Sequence, residues 1–144
     1  MDTKLKTNVY RLLARREYSA AMLRRKLLVK GFAEEAVEAV LAELSREGSV
    51  SDRRFMESYV RYRQSRGYGP LRIRQELALR GIAKEMIEDH LDITDNAWLA
   101  EVQRVWQKRF SGQHPVDLKA RGQQMRFLQY RGFTEEQIAT IFDA

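Results

Sequence analysis

The side chains in this sequence with the most to offer a partner are its arginines and lysines, and they come in clusters. Arg24, Arg25 and Lys26 stand together, Arg54 and Arg61 follow, and Arg72 and Arg74 come just after Gly67-Tyr68-Gly69-Pro70. A guanidinium is a flat fork that meets phosphate or carboxylate oxygens in pairs, so such clusters suit an anionic surface. These seven are the candidate contact residues, with phosphate or acidic side chains as their targets. The whole chain leans the same way, with a formal net charge of +6 and a pI near 9.8. A solvated basic face that merely balances acidic segments is the competing use, and a polyanionic partner is the preferred one.

No constellation for catalysis accompanies them. His90 and His114 are the only histidines, they share no ligand spacing, and there is no cysteine to complete a metal site. The lack of cysteine also excludes disulfides and fits a reducing cytosol. Gly67-x-Gly69 lacks the following Gly-Lys-Ser/Thr of a phosphate loop and reads as a turn. Ser19, Ser51 and Thr134 are explained as helix caps, which leaves no nucleophile beside a base. Tyr59 and Tyr62 could stack bases, but both fall on an apolar stripe and burial is expected; Tyr68, in the turn, is the freer ring. The expectation is a protein that is not an enzyme and holds no cofactor and no metal. No apolar run approaches a membrane span, and none follows the N-terminal lysines, so neither a membrane partner nor a secretory signal is expected.

These residues sit in an internal repeat. Residues 23–41 read LRRKLLVKGFAEEAVEAVL, residues 73–91 IRQELALRGIAKEMIEDHL, and residues 124–142 QMRFLQYRGFTEEQIATIF. Lys30-Gly31, Arg80-Gly81 and Arg131-Gly132 align, as do Phe32, Ile82 and Phe133. Each glycine supplies a left-handed residue after a helix, and the base before it faces the negative helix end. The apolar residue that follows forms a staple to Val37, Ile87 or Ile138. The third copy has a full capping box, Thr134 to Gln137, whereas Ala33 and Ala83 are weak caps.

The first helix of each copy varies more. Helices are expected over roughly 4–16 and 52–66, the latter with Ser51 as N-cap. A third opens after Ile93-Thr94, with Thr94 as cap and Trp98, Val102, Val105 and Trp106 on one stripe. Pro70 suits the first turn of a helix, and another helix resumes near Asp117. The fold class is therefore all-α, a tandem array of three helix-turn-helix-like three-helix repeats, elongated and curved, over residues 1–48, 49–92 and 93–144. The joints, Ser45–Val50 and Asp92–Asp95, are short. Val29, Leu79 and Tyr130 hold equivalent positions off the main stripe, where packing between repeats is expected. Basic and acidic segments alternate: residues 1–30 carry nine Lys/Arg against Asp2 and Glu17, while residues 33–44 carry four glutamates and no base.

The middle repeat also carries a resemblance. Ser51-Asp52-x-Arg54-Phe55, Arg61, Gly67-x-Gly69-Pro70-x-Arg72-Ile73, Glu76-Leu77 and Arg80-Gly81-Ile82 resemble the central motif of the RecX family, regulators of the RecA recombinase. Arg15 to Ser19 with Leu27 to Phe32, and Phe127-Leu128-x-x-Arg131-Gly132-Phe133, resemble its N- and C-terminal motifs. The resemblance implies a cytoplasmic bacterial protein of tandem three-helix repeats, acting in homologous recombination, DNA repair and the SOS response. It implies binding to the RecA–single-stranded DNA filament and repression of RecA's ATP hydrolysis and strand exchange. A monomer with weak, sequence-indifferent affinity for single-stranded DNA is expected, and no catalytic residue is implied.

Two other readings compete. A helix-turn-helix protein acting on duplex DNA predicts tight binding to one site, and a protein-binding scaffold predicts no affinity for DNA at low salt.

Overall fold

The computed structural model describes residues 3–143; Met1, Asp2 and Ala144 lie outside them. All regular structure among the described residues is helical. The helices are α1 (Thr3–Leu13), α2 (Ala20–Val29), α3 (Glu34–Arg46), α4 (Asp52–Ser65), α5 (Pro70–Leu79), α6 (Lys84–His90), α7 (Ala97–Phe110), α8 (Leu118–Arg131) and α9 (Glu135–Phe142). None is long and apolar enough to cross a membrane.

The ends follow local chemistry. Ser19 Oγ accepts from the Met22 amide and Ser51 Oγ from that of Arg54, each at 3.1 Å. At α9 the Thr134 hydroxyl accepts from the Gln137 amide while Gln137 Oε1 accepts from that of Thr134, which completes the capping box. Ala33, at the start of α3, offers no such bond. Ala33→Ser is accordingly expected to stabilise the chain by about 0.5–1 kcal/mol, and Thr134→Ala to cost about 1 kcal/mol. Urea midpoints followed by circular dichroism check both.

Three local expectations are corrected. Thr94 is not the cap of α7: Asp92 Oδ1 accepts from both its amide and its hydroxyl, at 2.9 and 2.6 Å. These bonds fold Asp92–Thr94 into a turn of its own and hold the Asp92 carboxyl below its ordinary pKa. The helix starts three residues later, after Asp95 and Asn96. Secondly, α3 runs on to Arg46, so the first joint starts later than Ser45. Thirdly, Val29 and Leu79 are not packed between repeats but are 82 and 74% exposed, whereas Tyr130, though 69% exposed, carries the Arg72 guanidinium of the middle repeat on its ring at 4.7 Å. Each lies in the last turn of its helix, on the side away from the buried stripe.

The helices gather into two compact units, one from Met1–Tyr59 with Leu77–Met86 and the other from Val60–Glu76 with Ile87–Ala144. The middle repeat contributes to both. The first unit's core is Leu5 and Val9 of α1, Leu23 and Leu27 of α2, and Val37, Val40, Leu41 and Leu44 of α3, closed by Tyr18 and Val50. In the second unit Trp98, Val102, Val105 and Trp106 are buried along α7 as the stripe requires, with Leu128, Phe133, Ile138 and Ile141 from the last repeat. The buried amide of Gln124 is satisfied on both sides: it accepts from Trp106 Nε1 at 2.8 Å and donates to the Gln113 carbonyl at 3.0 Å.

Each unit contains one junction between successive repeats, and the two are alike. In the first, the Ser19 hydroxyl at the start of α2 donates to the Arg80 carbonyl at 2.7 Å, and a Cβ on Gly81 would overlap that of Ala21. Asp52 Oδ1 accepts from the Ala20 amide at 2.8 Å, so the middle repeat's Ser-Asp pair also caps the first repeat's second helix. In the second unit, the Gly69 amide donates to the Arg131 carbonyl at 2.7 Å and that of Leu71 to the Gly132 carbonyl at 2.9 Å. A Cβ on Gly69 would stand 2.6 Å from the Gly132 carbonyl. In both, the first turn of one repeat's second helix seats on the Arg-Gly turn of the next. At the equivalent turn of the first repeat, a Cβ on Gly31 would meet nothing within 4 Å.

Candidate anion-binding surfaces

The structure separates the seven candidate bases into two groups. In the first unit, Arg24 leaves α2 to form a bidentate pair with Glu38 of α3. That hydrogen bond is the chief reason its pKa lies above the ordinary guanidinium value. Arg54 bonds Glu17 and also donates to the carbonyls of Gly48 and Ser49, each at 3.0 Å, tying down the joint between α3 and α4. Arg25 and Lys26 are exposed and engage no side chain among the described residues.

In the second unit, Arg72 lies over the rings of Tyr68 and Tyr130, 4.7 Å from each centroid, and donates to the Tyr130 carbonyl at 3.1 Å and to Glu76 at 3.2 Å. Hydrogen bonding at Tyr130, then at Glu76, raises its pKa. Arg61 and Arg74 are exposed on their helices. Thus Arg24, Arg54 and Arg72 are engaged by partners within the chain, and Arg25, Lys26, Arg61 and Arg74 present charge outward.

Tyr68 is far from free. The guanidinium groups of Arg63, Arg72 and Arg131 stand 3.8, 4.7 and 4.8 Å from its ring centroid. Three cations on one ring need a counter-charge, and Glu76 supplies it, accepting from Arg63 Nε and Nη2 at 2.9 Å each as well as from Arg72. Both partners of the Arg63–Glu76 pair are mostly covered. Removing the carboxylate strands two guanidiniums, so Glu76→Ala is expected to cost about 2–3 kcal/mol, and Glu76→Gln less. The midpoint of urea unfolding measures the difference.

Beside this cluster the ends of α4, α7 and α8 line a half-open cavity of about 570 Å³. Arg66, Lys108, Arg109 and Arg131 line it together with Tyr62 and Phe127, and no carboxylate does. Tyr62 is not buried as expected but 58% exposed. The buried residues of α4 are Phe55 and Met56, near its start, and its last turns carry the stripe out of the core. Sequence reading missed this cavity because its bases come from three helices; a Tyr62/Arg66 pair and an Arg104/Lys108 pair, each at i,i+4, were the available signal.

An all-helical chain of tandem three-helix repeats, joined through Arg-Gly turns and studded with outward arginines, defines the class of protein. Family models for the first, second and third three-helix domains of RecX match residues 6–44, 51–91 and 99–142. The regulatory protein RecX of Pseudomonas entomophila (strain L48) is 45% identical over 130 residues, which is 90% of this chain and 84% of that protein. RecX of Pseudomonas putida (strain GB-1) is 45% identical over the same share of this chain and 83% of its own. The crystal structure of RecX from Lactobacillus salivarius superposes with a TM-score of 0.80 at 20% identity, covering 98% of this chain and 94% of that one. The chain belongs to the RecX family, whose members named here are regulatory proteins.

Proposed function

We propose that this protein is a negative regulator of RecA that binds the RecA–single-stranded DNA filament and represses its ATP hydrolysis and strand exchange. The observation that carries the reading is the match of all three RecX domain models, in order, along one chain. Repeats over 1–48, 49–92 and 93–144 are its modules, and it acts in the cytoplasm as a monomer with no cofactor. Arg25, Lys26, Arg61 and Arg74 meet phosphate or acidic recombinase side chains directly. Within the first unit Arg24 and Arg54, and within the second Arg72, support those residues through their bonds to neighbouring helices and turns.

The mechanism is occupancy rather than chemistry. A filament hydrolyses ATP and exchanges strands only while its protomers can move and its DNA remains accessible. An array of short-jointed repeats, held by charge at several points, restrains both. Affinity for DNA alone should be weak, salt-sensitive and indifferent to sequence, because phosphate contacts position a protein without reading bases.

Fluorescence anisotropy of the labelled chain, titrated with RecA filaments and then with the bare strand, tests this. Filaments should bind at least tenfold more tightly than the strand at the same salt. Equal affinity for both, or tight binding to a single duplex sequence, would replace this reading with a DNA competitor or a helix-turn-helix regulator.

A further inference from the structure

We infer that the cavity at the ends of α4, α7 and α8 receives one unstacked nucleotide of a single strand, its phosphate against Arg66, Lys108 and Arg109 and its base on the ring of Tyr62. The inference deepens the reading above, in which DNA is one of the targets, by naming where this chain takes hold of it and which part of it.

Charge selects the ligand. Six bases line the cavity and no carboxylate does. Two of the six are neutralised from outside it, Arg63 by Glu76 and Arg104 by Glu101. Arg66, Lys108, Arg109 and Arg131 have no carboxylate partner among the described residues. Helix C-termini normally repel anions, since their last carbonyls are unpaired. At α4 that objection is removed: Arg104 donates to the Gln64 carbonyl at 2.8 Å and Arg131 to that of Arg66 at 2.9 Å. Those two arginines are spent on the helix end, which leaves Arg66, Lys108 and Arg109 to face a ligand.

Shape and aromatic surface separate a nucleotide from a simple anion. A volume of about 570 Å³ falls in the range of pockets that hold small organic ligands. The Phe127 ring is already engaged by Phe110 and by the guanidiniums of Arg109 and Arg131. The Tyr62 ring is 58% exposed and lines the cavity, so it is the stacking surface on offer. Stacking needs a base out of its helix, which a single strand gives freely and a duplex does not. A flat ring flanked by point charges reads no base edge, so the site should accept any base.

The test uses the full chain without RecA, so its outcome is independent of whether RecA is repressed. Anisotropy at low salt compares a thymidine oligomer, an oligomer of the same length in abasic deoxyribose phosphate, and thymidine monophosphate as competitor. The base-bearing oligomer should bind about 5- to 100-fold more tightly than the abasic one. Tyr62→Ala should erase that ratio while leaving abasic binding unchanged. Arg66→Ala with Lys108→Ala should weaken both oligomers and flatten the salt dependence by roughly 0.7 for each phosphate that is no longer neutralised. All three side chains are exposed, and unaltered thermal melts will show that the fold is kept. Competition by the free monophosphate at the oligomer's affinity per nucleotide would support the pocket and make a free nucleotide its ligand. Equal binding of the thymidine and abasic oligomers, or a ratio that survives Tyr62→Ala, would overturn the inference.

Discussion

Gly132→Ala is expected to destabilise the second unit by about 3 kcal/mol or more, whereas Gly31→Ala, the same change at the equivalent place in the first repeat, should cost only about 1–2 kcal/mol. Both glycines sit at positive φ, +101° and +97°, so alanine suffers the left-handed penalty at each. The difference is what lies beyond the Cβ. At Gly132 it would overlap the Arg72 side chain and stand 2.7 Å from the Arg72 amide; at Gly31 it would enter open space. Backbone cannot yield as a flexible side chain can, so the Gly132 variant must open the junction that Gly69 and Leu71 make with this turn. The chain's two tryptophans, Trp98 and Trp106, are both buried in the second unit, so their fluorescence reports its unfolding. Circular dichroism follows the whole chain. A large fall in the fluorescence midpoint for Gly132→Ala beside a small shift for Gly31→Ala is the expected pattern. Equal losses would mean that the junction does not need the glycine's bare face.

Arg74→Glu and Arg72→Glu, two residues apart on α5, should fail in different ways. Arg74 is exposed, so its reversal should leave the melting temperature within a degree or two and weaken filament binding at least tenfold. Arg72→Glu removes two hydrogen bonds and two cation–ring interactions and sets a second carboxylate beside Glu76. It should cost about 2–4 kcal/mol before any partner is added. Thermal melts and filament anisotropy on the two single variants separate the effects. A stable Arg72→Glu protein with intact binding would contradict the role given to its cluster.

What could be read from the sequence was what is local. The repeat, the glycine turns, the caps at Ser19, Ser51 and Thr134 and the α7 stripe rest on residues within a few positions of one another, and each is present. Thr94 failed because two nearby residues competed for one role and Asp92 claimed its hydroxyl. For Arg54 and Arg72, sequence shows a charge but not the internal partners that engage it. Glu17 lies 37 positions before Arg54, and the Tyr130 carbonyl 58 positions after Arg72. The most distinctive motifs, Ser51-Asp52-x-Arg54 and Gly67-Tyr68-Gly69-Pro70-x-Arg72, thus prove to be fittings of the joints between helices and repeats. The cavity shares Gly67 and Tyr68 with the second of these motifs, but its bases Arg66, Lys108 and Arg109 meet no local pattern that sequence could reveal.

Repression of RecA is proposed to work through direct recognition of its filament. ATP hydrolysis by RecA on single-stranded DNA, with this protein titrated in, tests it most directly when the same strand without RecA is followed in parallel by gel shift. Hydrolysis should fall at protein concentrations well below those that shift the bare strand, and Arg74→Glu should move only the first curve strongly. Hydrolysis that falls only as the strand itself is covered, or does not fall at all, would contradict the claim.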